Sequence, residues 1–197
     1  MVLIDKLLII LRDRLEAVLQ AAQSQPDKLV VLANPIEPDG TPTDGISNKL
    51  VMFVVSLQHD ASTGTFVSPV LGRNDTYPIS APPLIMDAFF LLTANFTGIN
   101  YPEGLAMMSR AISFFQSNPV FTHADSPTLP PEVDRMVVEF VSLDFAQANN
   151  LLMLTGLKCF PFVLYRIRRL TFSGPAILGV SPSVRAVAPV TDAVPAA

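Results

Sequence analysis

Residues 82–122, PPLIMDAFFLLTANFTGINYPEGLAMMSRAISFFQSNPVFT, hold the densest apolar run of the chain and constrain its fold more than any other stretch. Leu84, Met86, Ala88, Phe90, Leu92, Ala94 and Phe96 alternate along one side of a period-two pattern. Ile85, Phe89 and Leu91 make the other side apolar as well, broken by Asp87, Thr93 and Asn95. A strand apolar on both faces is covered on both faces. Tyr101-Pro102-Glu103 then starts a helix, with proline where its missing N–H costs nothing and a carboxylate beside the positive end of the dipole. Leu105, Met108, Ala111, Ile112 and Phe115 supply the expected buried stripe, and Asn118-Pro119 ends the helix. The stretch reads as a packing device without catalytic chemistry.

Half of the 197 residues are apolar and only 15% are charged, against the roughly 25% usual in soluble domains. So little charge over so many residues implies that other protein covers part of the surface. The net charge of −4 opposes nucleic-acid binding, which needs a basic face. One cysteine, Cys159, rules out an internal disulfide and fits a reducing cytoplasm. The N-terminal MVLIDKLLIILRDRLEAVLQAA is no membrane span: its longest unbroken apolar run, residues 7–11, is closed by Lys6 and Arg12, where a spanning helix needs about 20 apolar residues. It reads instead as an amphipathic helix whose stripe of Leu3, Leu7, Leu8, Leu11, Leu15, Val18, Leu19 and Ala22 seeks a groove. Leu3, Leu7 and Leu11 are candidate partner-contact residues on this ground.

Further strands are expected over residues 29–32, 48–57, 133–143 and 160–172, with a hairpin over residues 65–71. Asp144 with Gln147 three residues on is a capping box for one more helix, which Gly156 ends. In the strand that follows, Val163, Tyr165 and Ile167 take one face and Arg166 and Arg168 the other. The cluster Arg166, Arg168, Arg169 is either the solvated face of an edge strand or an interface that pairs with a neighbour's carboxylates. From residue 173 the texture becomes Pro, Ala and Val with almost no charge. One domain over residues 1–172 and an extended tail over residues 173–197 are therefore expected. Fully extended, the tail reaches roughly 80 Å at about 3.3 Å per residue. Ile177, Val180, Val184 and Val187 are its candidate contact residues, as an arm that adds a strand to a partner's sheet.

No chemistry emerges. His59 and His123 occupy ordinary strand-end and loop positions, and Cys159 sits among Leu157, Phe160 and Phe162 as a packing thiol. No phosphate loop, G-x-S-x-G or H-E-x-x-H motif occurs. Asp39-Gly40 and Asp44-Gly45 lack the ligand spacing of a calcium loop and read as turns. Neither catalytic residue, metal nor cofactor is expected.

The ordered set NKLVMFVVSL, PPLIMDAFFLLTANF, FFQSNPVFT, LPPEVDRMVVEFVSLDFAQANNLL and GLKCFPFVLYRIRRLTF resembles the N-terminal domain of cap, or tube-terminator, proteins of phage-tail-like contractile injection systems. The resemblance spans about residues 1–172. It departs at Leu152-Met153, where family members often carry Trp, and at Cys159-Phe160-Pro161-Phe162. It implies a phage tail-terminator-like α+β fold: a mostly antiparallel β-sheet flanked by about three helices, with an extended C-terminal arm. It implies a homo-hexameric ring on the distal end of the inner tube and sheath that stops their polymerisation, within a particle assembled in the cytoplasm. Inner tube protein and sheath protein are then the partners, with no enzyme activity, cofactor, nucleic acid or membrane insertion. Two other readings stay open: a baseplate or tube-adaptor ring, and a lipid- or ligand-binding module using the N-terminal helix.

Overall fold

In the computed structural model, which describes residues 3–23, 28–60, 76–80, 83–156, 160–172 and 177–182, the N-terminal stripe forms helix α1 (Ile4–Gln23). Leu3, Leu7, Leu8, Leu11, Leu15 and Leu19 are all buried, while Val18 is exposed. The strands β1 (Val30–Leu32) and β2 (Lys49–His59) run parallel to each other. The Glu16 carboxylate of α1 accepts from the Leu29 N–H (2.9 Å) and the Val30 N–H (2.7 Å), which pins the start of β1 to the helix.

The apolar run is strand β4 (Leu84–Asn95), antiparallel to β2. Residues 87–94 are buried on both pleats except for the half-buried Phe89, as a strand apolar on both faces requires. Helix α2 (Tyr101–Ser117) follows, with proline in its first turn. Its buried stripe is Gly104, Met107, Met108, Ala111, Phe114 and Phe115, so Leu105 and Ile112 of the expected stripe are exposed instead. The cause is Gly104: a side chain there would meet Phe96 at 2.7 Å, so only glycine lets this face of α2 approach β4. Gly104→Ala is expected to lose about 1–3 kcal/mol by overpacking, read as a reduced midpoint in urea titration.

The short strand β5 (Val120–Thr122) leads to β6 (Arg135–Val141), then to helix α3 (Phe145–Thr155) and β7 (Phe162–Phe172). The capping box at Asp144 and Gln147 is present, and Gly156 closes α3 at φ 67°. These strands form a six-stranded sheet in the order β1-β2-β4-β7-β6-β5. Ala94 of β4 donates to the Pro161 carbonyl, and Asp87 accepts from the Arg169 N–H, so β4 and β7 run in opposite directions. Arg169, at φ 57°, forms a bulge in β7, and the buried positions shift phase across it from Ile167 to Leu170.

One face of the sheet carries an aromatic cluster: Phe90 stacks on Tyr165 at 5.4 Å and meets Phe115 of α2 at 6.0 Å. On the other face Leu91 and Leu164 are covered in part by Leu151 and Leu152 of α3. This mostly antiparallel sheet with three helices among the described residues is an α+β fold.

The chain divides into two units, residues 1–62 with 85–171 and residues 63–84 with 172–197. Within the second, β3 (Thr76–Ser80) pairs antiparallel with β8 (Ile177–Pro182). Thus part of the expected tail is a strand. Pro78 faces Val180 and Pro182 faces Thr76. Both pairs share one parity, which lets one set of non-hydrogen-bonded positions accommodate both prolines. The hairpin expected over residues 65–71, Cys159, Val184 and Val187 lie outside the described residues.

Candidate assembly interface

Arg166 and Arg168 project from the α3-side face of β7, as their spacing requires. Glu139, directly opposite Arg166 in the β6 register, accepts from Arg166 Nη2 at 2.6 Å and from Arg168 Nη1 at 3.0 Å. Arg166 Nη1 also lies 3.5 Å from Asp87 Oδ2, and Asp87 Oδ1 takes the Arg169 N–H at 2.9 Å. The Arg166 hydrogen bond, aided by Arg168, holds the Glu139 carboxyl below the usual carboxylate range, against the effect of its partial burial. The same pairing raises Arg168. Asp87 and Glu139 of this chain therefore supply the carboxylates expected on a neighbour. The side chains of Arg166 and Arg168 are 33% and 40% exposed, so this is a partly hydrated ladder whose individual pairs add little stability.

The other candidates separate. Leu3, Leu7 and Leu11 lie inside the first unit at 3%, 0% and 0% exposure, so their own chain covers the surface that was expected to face a partner. They do not join Arg166, Arg168 and Arg169, which share one strand. Ile177 and Val180 lie on β8.

Two apolar surfaces went unpredicted. Ile112 and Phe140 are exposed, Phe140 by 57%, around a recess of about 240 Å³ lined also by Phe115, Pro119 and Tyr165, and Val120 is exposed as well. Burial pushes the Tyr165 phenol beneath it up to about 12. Phe145, Met153 and Leu154 of α3 are exposed by 97%, 75% and 77%. Met153 and Leu154 border a second recess of about 510 Å³, with Ile36 and Phe53 in its wall. The signal for the second was present in residues 151–154, LLML, since four successive apolar residues exceed one helix face. Phe140 carried none: its alternation matches that of the buried Met136 and Val138.

Among the described residues no group of three His, Cys, Asp or Glu side chains is placed to hold a metal ion. The Asp39 carboxylate is occupied by the Thr41 N–H and hydroxyl, which is turn chemistry. No described helix is long and apolar enough to cross a membrane.

The family model described as the Pvc16 N-terminal domain matches residues 8–186. Two solved structures share the fold. One is the sheath/tube terminator, in the extended state, of PVC, an extracellular contractile injection system. It is 12% identical with a TM-score of 0.62, over 96% of this chain and 64% of that one. The other is the tube-terminating cap of the anti-feeding prophage, 11% identical with a TM-score of 0.54, over 90% of this chain and 58% of that one. The chain thus spans less than two thirds of the length of these relatives. Comparison with curated proteins gave no match.

Proposed function

The chain belongs to the family described as the Pvc16 N-terminal domain, and from that premise we propose that it is a structural subunit that caps the distal end of the inner tube and sheath of a contractile injection particle. Its copies form a homo-hexameric ring, and the ring ends polymerisation by covering the surface that the next tube and sheath subunits would occupy. The observation that carries this reading is the match of nearly the whole chain to the family, together with a fold shared with two terminators. The exposed apolar surfaces at Phe140 and at Met153 and Leu154 support it, because a ring subunit needs apolar patches that only neighbours cover. A lipid-binding role for α1 loses its basis, since the leucine stripe is buried in the protomer.

The test is particle length. Particles assembled without this chain are expected to show long tubes of broad length distribution in electron micrographs, and restoring it should narrow the distribution. Unchanged lengths, or label on this chain at the baseplate end, would overturn the capping role. Light scattering should give the mass of six protomers.

Residues 183–197 serve as the arm toward a particle partner. Because β8 pairs with β3 through Pro182, the informative truncation removes 183–197 and keeps that strand. The truncated protein is expected to keep its thermal midpoint while co-sedimenting several-fold less with tubes. Equal co-sedimentation would reduce the segment to a linker.

A further inference from the structure

Both edges of the six-stranded sheet are covered only in part. At one edge β5 pairs with β6 at residues 135–137, and the Val138 N–H donates to the Pro119 carbonyl at 2.8 Å. Pro119 has no N–H to return. Successive residues of a strand direct their polar groups to opposite neighbours. The Val138 carbonyl and both main-chain groups of Phe140 therefore point outward, where no described strand pairs with them.

At the opposite edge β1 covers β2 at residues 50–52 only. The Leu50 N–H donates outward to the Leu29 carbonyl, while beyond the irregularity between Val54 and Ser56 the Asp60 N–H donates inward to Ile85 of β4. Val54, in phase with Leu50, therefore directs its polar groups outward, and beyond the change of phase Leu57 and His59 do so, again with no described strand beside them.

Each open edge adjoins one of the two apolar recesses. The 240 Å³ recess lies along Val138 and Phe140, and the 510 Å³ recess along residues 53–55. Each holds a single carboxylate, Glu139 or Glu37, and no cationic side chain, and Glu139 is already paired with Arg166 and Arg168.

Resting on the ring reading, we propose that the ring closes by sheet extension, the open edge of β6 in one copy pairing with the open edge of β2 in the next. The partner is a second copy because, among the described residues, one protomer leaves two strand edges without a pairing strand on opposite sides of one sheet. A head-to-tail contact satisfies both once per protomer and closes by rotation. Edge-to-self pairing would satisfy one and leave the other exposed, a liability for aggregation. The extended strand supplies main-chain donors and acceptors, and its side chains enter the recesses.

Proline substitution tests each edge separately. Phe140→Pro removes an outward N–H while the ladder of β6 to β7, which uses residues 137, 139 and 141, keeps its donors. Leu57→Pro does the same at β2. By light scattering the unaltered chain is expected as the ring and each variant as a single protomer. An equimolar mixture should give a species of two protomers and nothing larger, since only one functional edge pair remains. Rings in both variants would overturn the inference while leaving the ring intact, and a single protomer for the unaltered chain would overturn both. A mixture that stays single also overturns it. Phe140→Asp and Leu154→Asp, at side chains already exposed, should reproduce the pattern with an unchanged far-UV spectrum. Rings in these well-folded variants count against the pairing as strongly as rings in the proline pair.

Discussion

Phe90→Ala is expected to lower the unfolding free energy by about 3–5 kcal/mol, the cost of emptying a buried phenylalanine site whose walls relax only in part. Phe90 is 0% exposed at the middle of β4. Its ring lies 5.4 Å from Tyr165 of β7 and 6.0 Å from Phe115 of α2, and those two rings are themselves 4.7 Å apart. The three rings join two central strands to the helix above them, so the cavity cannot close without moving an element. Aromatic pairs add about 0.5–1.5 kcal/mol beyond area burial, which places this site at the upper end of the range. Phe90→Leu keeps most of the volume and should cost less than half as much. Urea titration of both variants checks this, and equal losses would show that the ring contacts, not the filled volume, set the cost. A domain typically has about 5–15 kcal/mol of total stability, so the alanine variant is expected to be partly unfolded at 37 °C and absent from assembled particles.

Much of this architecture was legible in residue order. The period-two run of β4, the proline start of α2, the capping box of α3 and the alternation of Tyr165 and Ile167 against Arg166 and Arg168 are local patterns, and local patterns report local geometry. The phase of α2 was not legible, because whether Gly104 or Leu105 turns inward depends on how closely Phe96 approaches. Nor was β3, whose partner β8 lies about a hundred residues away in sequence. The interface was the least legible part. Leu3, Leu7 and Leu11 form a stripe that any apolar surface could cover, and the sequence does not distinguish a neighbour's surface from the chain's own sheet. The arginines were correctly placed on one face, while their carboxylates proved to be Glu139 and Asp87, brought near by strand order alone. Open strand edges have no residue signature, since they are defined by where β1 and β5 stop.

Asp87 is the buried charge in that arrangement, and Asp87→Ala is expected to cost about 2–3 kcal/mol. Its side chain is 12% exposed, with one oxygen on the Arg169 N–H at 2.9 Å and the other facing Arg166 at 3.5 Å. Breaking a fully buried ion pair costs about 3–5 kcal/mol. Arg166 is one-third exposed and keeps Glu139 as a partner, so the ionic share falls well below that. The remainder comes from the Arg169 N–H, held at a bulge where a non-glycine residue adopts φ 57°. Leaving that donor unsatisfied costs about 1–3 kcal/mol. Asp87→Asn retains an acceptor oxygen for the Arg169 N–H and loses only the charge, so it should cost about 1 kcal/mol. The ordering alanine worse than asparagine, measured by urea titration, is the result that identifies the carboxylate as the clamp of the bulge. If asparagine cost as much as alanine, the ion pair would be the main contribution instead. The bulge lies on β7 beside Arg168, which is opposite Val137 of β6, so relaxing it alters the twist of β6 where the open edge begins. Asp87→Ala should therefore weaken ring formation at temperatures where the monomer is still folded, whereas Asp87→Asn should leave the ring at its full mass.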